Sequence, residues 1–377
     1  MTLDEIYRKM SYVIHNVKEV VKTQKEKGRK LVGIIPVYGP EELVHAAGML
    51  PIGLWGGYSV LTKAPAYLPP FACSIVQNIT EFAANGLYDD LDAIIGTYPC
   101  DTLRCVTQYI EGIFKDRGGK IKMIRFSYPK NNTKDSAMRF LISELKDVRA
   151  ALEEVAGKKI LEADLKNSIR IYNENREAML KFTSLLADKP GLVSAKMRHT
   201  VIKSRYFMDK EDHTKLMLEL NRHLEELPAP DFKGKKIFLA GIMCEPDALL
   251  DIFDELNMAV VGDELAHESK QFQVLVPEGL EQINRLALQW KNVEGCGFVN
   301  SVGRKRANKI VQLMEQCKPD GVVFCMYQFC DVDEFDFPGI RDAVVEVVPI
   351  LDVGVDQNTA SCEQARTRLQ AFNEQMA

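Results

Sequence analysis

The sequence lacks the features that mark nucleic-acid-binding, membrane and secreted proteins. It has no Lys/Arg-rich block and its net charge is −5, which argues against nucleic acid or an anionic membrane as the main partner. No apolar run approaches the roughly 20 residues that a membrane helix needs. The first residues lack the basic-then-apolar layout of a secretory signal. We therefore expect a cytoplasmic protein.

Several short motifs are also missing. There is no G-x-x-x-x-G-K-[ST] segment, so a P-loop ATPase is not expected, and Gly295-Cys296-Gly297 lacks the third glycine of a dinucleotide fingerprint. Neither Cys-x-x-Cys nor His-x-x-x-His occurs, which argues against a thioredoxin-like or zinc-ribbon site. Any metal would have to be bound by cysteines that are far apart in the chain.

The sequence does contain nine cysteines, an odd number spread over 377 residues. A disulfide framework is not expected from such a distribution. Thiol chemistry and metal ligation remain open, and so does plain core packing, because free cysteine is among the most buried residue types.

The pattern of apolar segments predicts an α/β protein built from two duplicated Rossmann- or flavodoxin-like parallel-sheet domains. Gly28-Arg29-Lys30-Leu31 returns as Gly234-Lys235-Lys236-Ile237, and Pro40 and Pro246 each open the next helix at the same distance from that glycine. The predicted units are an N-terminal helix (1–28), a first α/β domain (29–134), a helical region with its linker (135–230) and a second α/β domain (231–377). Strands of the second copy are predicted near 237–242, 259–261, 321–325 and 347–351, and a closing helix near 362–375.

Two segments share an acidic residue, an apolar strand and a Cys-Asp pair. One runs from Asp92 to Asp101 and the other from Asp320 to Asp331. They deliver Cys100 and Cys330 to the carboxyl ends of strands, where open α/β sheets bind ligands. A third cysteine, Cys73, follows a Pro-rich stretch just before a helix. Three such thiolates could hold one iron–sulfur cluster, whereas Cys105 and Cys325 lie inside a helix and a strand and are expected to pack in the core.

Five segments of the sequence form a recognisable set of motifs. They are Pro40-Glu41-Glu42-Leu43-Val44-His45-Ala46-Ala47-Gly48-Met49-Leu50-Pro51, Phe71-Ala72-Cys73-Ser74, Cys100-Asp101-Thr102-Leu103, Phe329-Cys330-Asp331 and Gln364-Ala365-Arg366-Thr367-Arg368. With these motifs the chain resembles, over nearly its whole length, the 2-hydroxyacyl-CoA dehydratases and in particular their β subunit. Benzoyl-CoA reductase subunits are more distant relatives. The resemblance implies that Cys73, Cys100 and Cys330 are the three cluster ligands.

The resemblance also implies an activity and two protein partners. Members of the family are oxygen-sensitive αβ heterodimers with a [4Fe-4S] cluster in each subunit, and a separate ATP-dependent iron–sulfur activator protein energises the electron. They remove water from an (R)-2-hydroxyacyl-CoA through a ketyl radical and form the (E)-2-enoyl-CoA. The substrate binds mainly on the α subunit, so this chain would be the electron relay, and its sequence does not specify the 2-hydroxy acid.

Other charged residues of the shared motifs are expected to have structural roles. Glu41 and Glu42 open a helix, where carboxylates favour the positive end of the dipole. Arg366 and Arg368 are expected at a subunit or domain interface rather than on the CoA phosphates. Asp101 and Asp331 are expected to cap the helices that follow Cys100 and Cys330. These interpretations leave no catalytic residue in this chain.

Three functions remain open at this point. They are a dehydratase β subunit, a benzoyl-CoA reductase-type subunit, and a two-lobed small-molecule binding module whose cysteines belong to the core. For a dehydratase β subunit we also predict that the one iron of the cluster without a cysteine ligand binds water, hydroxide or sulfide, because Cys105 and Cys325 are expected to pack in the core.

Overall fold

The computed structural model describes residues 1–279, 281–299, 305–358 and 362–376. Within these residues the chain has two four-stranded parallel sheets and fourteen α-helices. The predicted α/β class with duplicated parallel-sheet domains is confirmed. In the same residues, none of the helices is both long and apolar enough to cross a membrane.

The chain begins with two helices, α1 (Leu3–His15) and α2 (Val17–Glu26). The sequence predicts one N-terminal helix within residues 1–28, but the structure has two, because Asn16 leaves the helical conformation with φ −126° and ψ 37°. Its side-chain Nδ2 donates to the Tyr12 carbonyl at 2.8 Å. Asparagine competes with the helix for backbone groups in this way, so it ends α1 here.

The first domain consists of β1 (Leu31–Ile34), α3 (Glu41–Ala46), β2 (Leu50–Gly53), α4 (Ser74–Ala84), β3 (Ala93–Thr97), α5 (Asp101–Asp116) and β4 (Lys122–Phe126). Its sheet has the strand order β2-β1-β3-β4, with every neighbouring pair parallel. The two inner strands and the edge strand β2 are buried along their whole length, as expected for a sheet covered on both faces.

Four helices follow, as the sequence predicts for residues 135 to 226. They are α6 (Asp135–Ala156), α7 (Glu162–Asp188), α8 (Ala195–Ser204) and α9 (Lys210–Glu226). Helices α7 and α9 pack on each other, α3 packs on α7, and α1 packs on α8. The helical region is therefore joined to the first domain and to the N-terminal helix.

The second sheet repeats the first, with the order β6-β5-β7-β8 and parallel pairing throughout. Strand β8 begins later than the predicted 347–351, because the Val347 N–H still bonds the Val344 carbonyl at 2.9 Å in a turn. The elements are β5 (Lys235–Gly241), α10 (Asp247–Glu255), β6 (Met258–Leu265), α11 (Gln282–Lys291), α12 (Lys305–Cys317), β7 (Gly321–Tyr327), α13 (Asp331–Val344), β8 (Ile350–Val355) and α14 (Glu363–Gln375).

The identical strand order of the two sheets is that of flavodoxin-like folds. In such sheets ligands bind beyond the carboxyl ends of the strands, beside the first and third strands of the chain, where the strand order reverses. The third strands are β3 and β7, and they are the strands that lead to Cys100 and Cys330.

Candidate functional site

The structure brings the three predicted cysteines to one cavity between the two α/β domains. Cys73, Cys100 and Cys330 all line it, and its volume is about 570 Å³. Each is the residue that immediately precedes a helix: Cys73 before α4, Cys100 before α5 and Cys330 before α13. Three helix N-termini therefore point their positive ends toward one space.

The electrostatics of the thiols depend on burial and on these helix ends. Burial raises the pKa of Cys73 to about 11, although the Val76 backbone N–H acts in the opposite direction. Burial also raises the pKa of Cys100, which the Leu103 N–H partly offsets. None of the three thiols makes a full capping hydrogen bond. As free thiols they hold their protons at neutral pH.

The pKa of the third thiol, Cys330, shows that the three cysteines interact electrostatically. Burial is the largest cause of its raised pKa, and the Asp333 carboxylate and then Cys73 and Cys100 raise it further. Three thiolates in this space would repel, so they need a cationic group to release their protons together. A bound metal does this, because a coordinating thiol is deprotonated outright.

In the part of the chain that the structure describes, no group of three or more His, Cys, Asp or Glu side chains is placed to hold one metal ion. An iron–sulfur cluster spreads its thiolate ligands over several irons, so its ligands need not meet at one point. A cavity with a thiol on each of three helix N-termini fits such a group.

Lys130 contributes a cation at the rim of this cavity. Its Nζ donates to the carbonyl of Pro99, the residue before Cys100, and lies 5.5 Å from the Tyr128 ring centre. Burial lowers the pKa of Lys130, whereas Cys100 acts to raise it. The carboxylate of Asp101, which also lines the cavity, acts on the pKa of Lys130 in the same direction as Cys100. Its charge is thus available to the cavity.

A fourth cysteine, Cys296, also lines the cavity. It is 2 % exposed and accepts a hydrogen bond from the Tyr38 hydroxyl at 3.0 Å. The sequence patterns assign Cys296 no partner. The glycines on both sides of it are the signal that could have indicated a turn here, and Gly295 does have φ 61°, a conformation that favours glycine. Cys105 and Cys325, by contrast, lie in α5 and β7 and do not line the cavity.

The residues beside Cys330 show local strain and a buried ion cluster. Phe329 has φ 64°, which is disfavoured for a bulky side chain and occurs most often at functional sites. It is 42 % exposed at the cavity. Arg306 lies in the cavity wall and bonds Asp333 at 2.8 Å and Glu264 at 3.1 Å. This cluster anchors the first turn of α13.

Comparisons with known proteins identify the family of this chain. The family model described as 2-hydroxyglutaryl-CoA dehydratase, D-component, matches residues 36–376. The chain belongs to this dehydratase family. It is 41% identical to the lactoyl-CoA dehydratase subunit beta of Anaerotignum propionicum over 99% of both chains. It is 37% identical to the (R)-phenyllactyl-CoA dehydratase beta subunit of Clostridium sporogenes over 98% of both, and 31% identical to the (R)-2-hydroxyglutaryl-CoA dehydratase subunit beta of Acidaminococcus fermentans over 100% of both.

The dehydratase family resemblance inferred from the motifs is therefore confirmed, in its β-subunit form. Of the functions that the sequence left open, the dehydratase subunit is the one that this family supports. The relatives are each named as one subunit of an enzyme, so a partner subunit is implied.

The remaining motif residues of this dehydratase chain have mostly structural contacts. Glu42 is 3 % exposed and pairs with Arg176, while Glu41 pairs with Lys210 at 2.9 Å. Both stand in the first turn of α3, as predicted. Arg366 pairs with Glu255 of α10, which is a contact within the second domain.

The prediction that Asp101 and Asp331 cap their helices is wrong. Each is the first helical residue, and the preceding cysteine occupies the capping position. Both aspartates line the cavity. Their carboxylates still lie at the positive end of a helix, which is favourable.

Proposed function

We propose that this chain is the β subunit of an oxygen-sensitive (R)-2-hydroxyacyl-CoA dehydratase and that it binds a [4Fe-4S] cluster through Cys73, Cys100 and Cys330. Together with an α subunit and an ATP-dependent iron–sulfur activator, it would serve the conversion of a 2-hydroxyacyl-CoA to the (E)-2-enoyl-CoA through a ketyl radical, in a reducing cytoplasm. The observation that carries the proposal is the single cavity lined by the three cysteines.

When bound, the cluster supplies one-electron transfer. The residues of this chain provide its environment. The three cysteines hold it as thiolates, and the N-termini of α4, α5 and α13 offset the negative charge that they bring. Lys130 adds a cation at the rim. Phe329, with φ 64°, lies between β7 and Cys330 and lines the cavity.

The test is iron binding under strict anaerobiosis with matched cysteine variants. We expect Cys73→Ala, Cys100→Ala and Cys330→Ala each to lose most of the bound iron and sulfide and the electron paramagnetic resonance signal of the reduced cluster. Cys105→Ala and Cys325→Ala are controls of the same residue type outside the cavity. They should retain the iron and lose at most about 1 kcal/mol or a little more of stability.

The ligand assignment fails if a control variant loses its iron while a cavity variant keeps it. The dehydratase activity is tested separately by enoyl-CoA formation with the α subunit and activator present. A chain that dehydrates the CoA ester without either partner would contradict the role of electron relay.

We further propose that the α subunit covers the mouth of the cavity. Phe335 is 86 % exposed and lines the cavity together with Phe329. Exposed aromatic side chains of this kind commonly anchor protein interfaces. Placing the partner here also brings it next to the cysteine cavity, as electron transfer between subunits requires.

The interface is tested with Phe335→Ser against Phe140→Ser. Phe140 is another exposed phenylalanine, 44 % exposed on α6, and it does not line the cavity. We expect Phe335→Ser to weaken heterodimer formation about tenfold or more, as loss of an aromatic anchor does, and Phe140→Ser to leave it unchanged. Equal effects of the two variants would place the interface elsewhere.

A further inference from the structure

A second cavity, separate from the cysteines, lies between the first domain, the helical region and the second domain. Its volume is about 80 Å³. It shares no lining residue with the cysteine cavity. The wall between the two consists of Tyr38 and Tyr128 on one side and of Cys296 and Lys130 on the other, in contact through the Tyr38–Cys296 hydrogen bond and the Lys130–Tyr128 stacking.

The charges around this second cavity do not balance. Arg176 and Arg205 line it beside Glu41 and Glu42. Glu42 pairs with Arg176, but Glu41 is shared by Lys210 at 2.9 Å and Arg205 at 3.8 Å. Three buried cations thus face two carboxylates.

The neighbouring groups do not remove this excess of positive charge. Lys270 also lines the cavity, but its own carboxylate, Glu264, lies 3.7 Å away. Burial, followed by Arg205, lowers the pKa of Lys210 to about 8, as expected where cations crowd together. A buried charge without a counter-ion is costly, so the cavity favours one additional negative charge.

Among the described residues, three buried polar atoms at the cavity make no hydrogen bond: the Arg176 Nε, the Tyr128 hydroxyl and the Glu41 Oε2. The Glu41 oxygen lies 2.9 Å from the Lys210 ammonium, which leaves Arg176 and Tyr128, each 5 % exposed, as the donors without an acceptor. An N–H and an O–H left without acceptors are groups that a carboxylate would satisfy. The opposite side of the cavity is apolar and includes Leu141, Leu145 and Trp290.

We propose that this second cavity binds a small organic monocarboxylate, with its carboxylate on Arg176 and Tyr128 and its hydrocarbon part against Leu141, Leu145 and Trp290. A single water-sized position needs roughly 10–15 Å³, so 80 Å³ corresponds to about five to eight non-hydrogen atoms. This is the size of a carboxylate of three to five carbons. The site is independent of the cysteine ligands and of the proposed dehydratase role.

The test compares butyrate with its neutral isostere butyramide by calorimetry on the full-length chain. We expect butyrate to bind at least tenfold more tightly, because only the carboxylate supplies the missing charge. The sequence has two tryptophans, and Trp290 lines the cavity, so butyrate should also change the intrinsic fluorescence of the wild-type chain but not of Trp290→Phe. Equal binding of acid and amide, or equally tight binding of chloride alone, would overturn the proposal.

Variants with a matched control locate the site. Tyr128→Phe removes only the hydroxyl and should weaken butyrate binding about tenfold, the loss expected for a hydrogen bond to a charged group. Val274→Phe should fill the cavity, which Val274 lines, and abolish binding. Tyr7→Phe is the control, since the Tyr7 hydroxyl is also buried without a partner but lies in α1. If Tyr7→Phe and Tyr128→Phe weaken binding equally, or if Val274→Phe binds butyrate as the wild type does, the assignment is wrong.

Discussion

Raising the pH from 6.5 to 10 should remove the contribution that one buried histidine, His199, makes to the stability of this protein. Its ring nitrogens lie 3.0 Å from Glu245 and 3.0 Å from Glu268, and the side chain is 2 % exposed. Burial acts to lower the pKa of His199, but the two carboxylates outweigh it and raise the pKa to about 9. His199 is therefore charged in the folded protein at neutral pH.

The magnitude follows from the difference between the folded and unfolded chains. A pKa of about 9 in the folded state, against about 6.5 in the unfolded chain, corresponds to about 3 kcal/mol of stability. Because the folded-state pKa is the higher one, this contribution is fully present below pH 6.5. It is lost as the pH rises through 9.

The assay is urea unfolding followed by circular dichroism at pH values from 6.5 to 10, for the wild type and His199→Gln. The variant should be less stable by about 3 kcal/mol at pH 6.5, and the gap should narrow toward zero near pH 10. His15→Gln, at an exposed histidine of α1, is the control, and its free energy of unfolding should change with pH as that of the wild type does. A gap between the wild type and His199→Gln that stays constant over this range would refute the reasoning.

Two further predictions use other charged groups. His213 is buried, and burial, followed by Lys210, lowers its pKa to about 3. Because the folded-state pKa is lower than that of the unfolded chain, the stability of the wild type should fall as the pH drops from 6.5 toward 3. Urea unfolding should show a smaller fall for His213→Asn over this range, and an equal fall in the two proteins would contradict the prediction. Lys130→Gln should lower the midpoint potential of the reconstituted cluster by roughly 40 mV, because a unit charge at the rim of the cavity is worth about 1 kcal/mol to a negatively charged group beside it. A redox titration followed by electron paramagnetic resonance measures the potential. Lys134→Gln, outside the cavity, is the control, and equal potentials in all three proteins would exclude Lys130 as a counter-charge.

The fold and the three cavity cysteines could be predicted from local sequence patterns. Cys100 and Cys330 follow apolar strands, and the carboxyl ends of parallel strands meet at one edge of a sheet. Cys73 was identifiable by its place between a Pro-rich stretch and a helix. The break at Asn16 was also predictable in principle, since asparagine is a poor residue for a helix interior.

The rest of the site could not be predicted because it depends on contacts between distant loops. Lys130 follows β4 in a segment with no motif, and its relevance comes only from its contact with the Pro99 carbonyl. Cys296 reaches the cavity through the loop after α11. The charge imbalance at the second cavity requires Arg176, Arg205 and Lys210 to meet Glu41 and Glu42, which no spacing in the sequence reveals.

The position of Cys73 links the cysteine cavity to the buried charges around His199. Two of the three thiols occupy equivalent places in the duplicated sheets, so the cavity exists only while the domains keep their relative position. Glu245 of the second domain accepts hydrogen bonds from Trp55 Nε1 at 3.0 Å and from Gln357 Nε2 at 2.6 Å. The Gln357 backbone N–H donates in turn to the hydroxyl of Ser74, the residue after Cys73, at 3.1 Å. Loss of the His199 charge would weaken its bond to Glu245, which would then be held by Lys203 alone among these cations, and would weaken with it the contact that holds the second domain against the first turn of α4. The loss of the His199 contribution to stability and the loosening of the cysteine cavity should therefore occur over the same pH range.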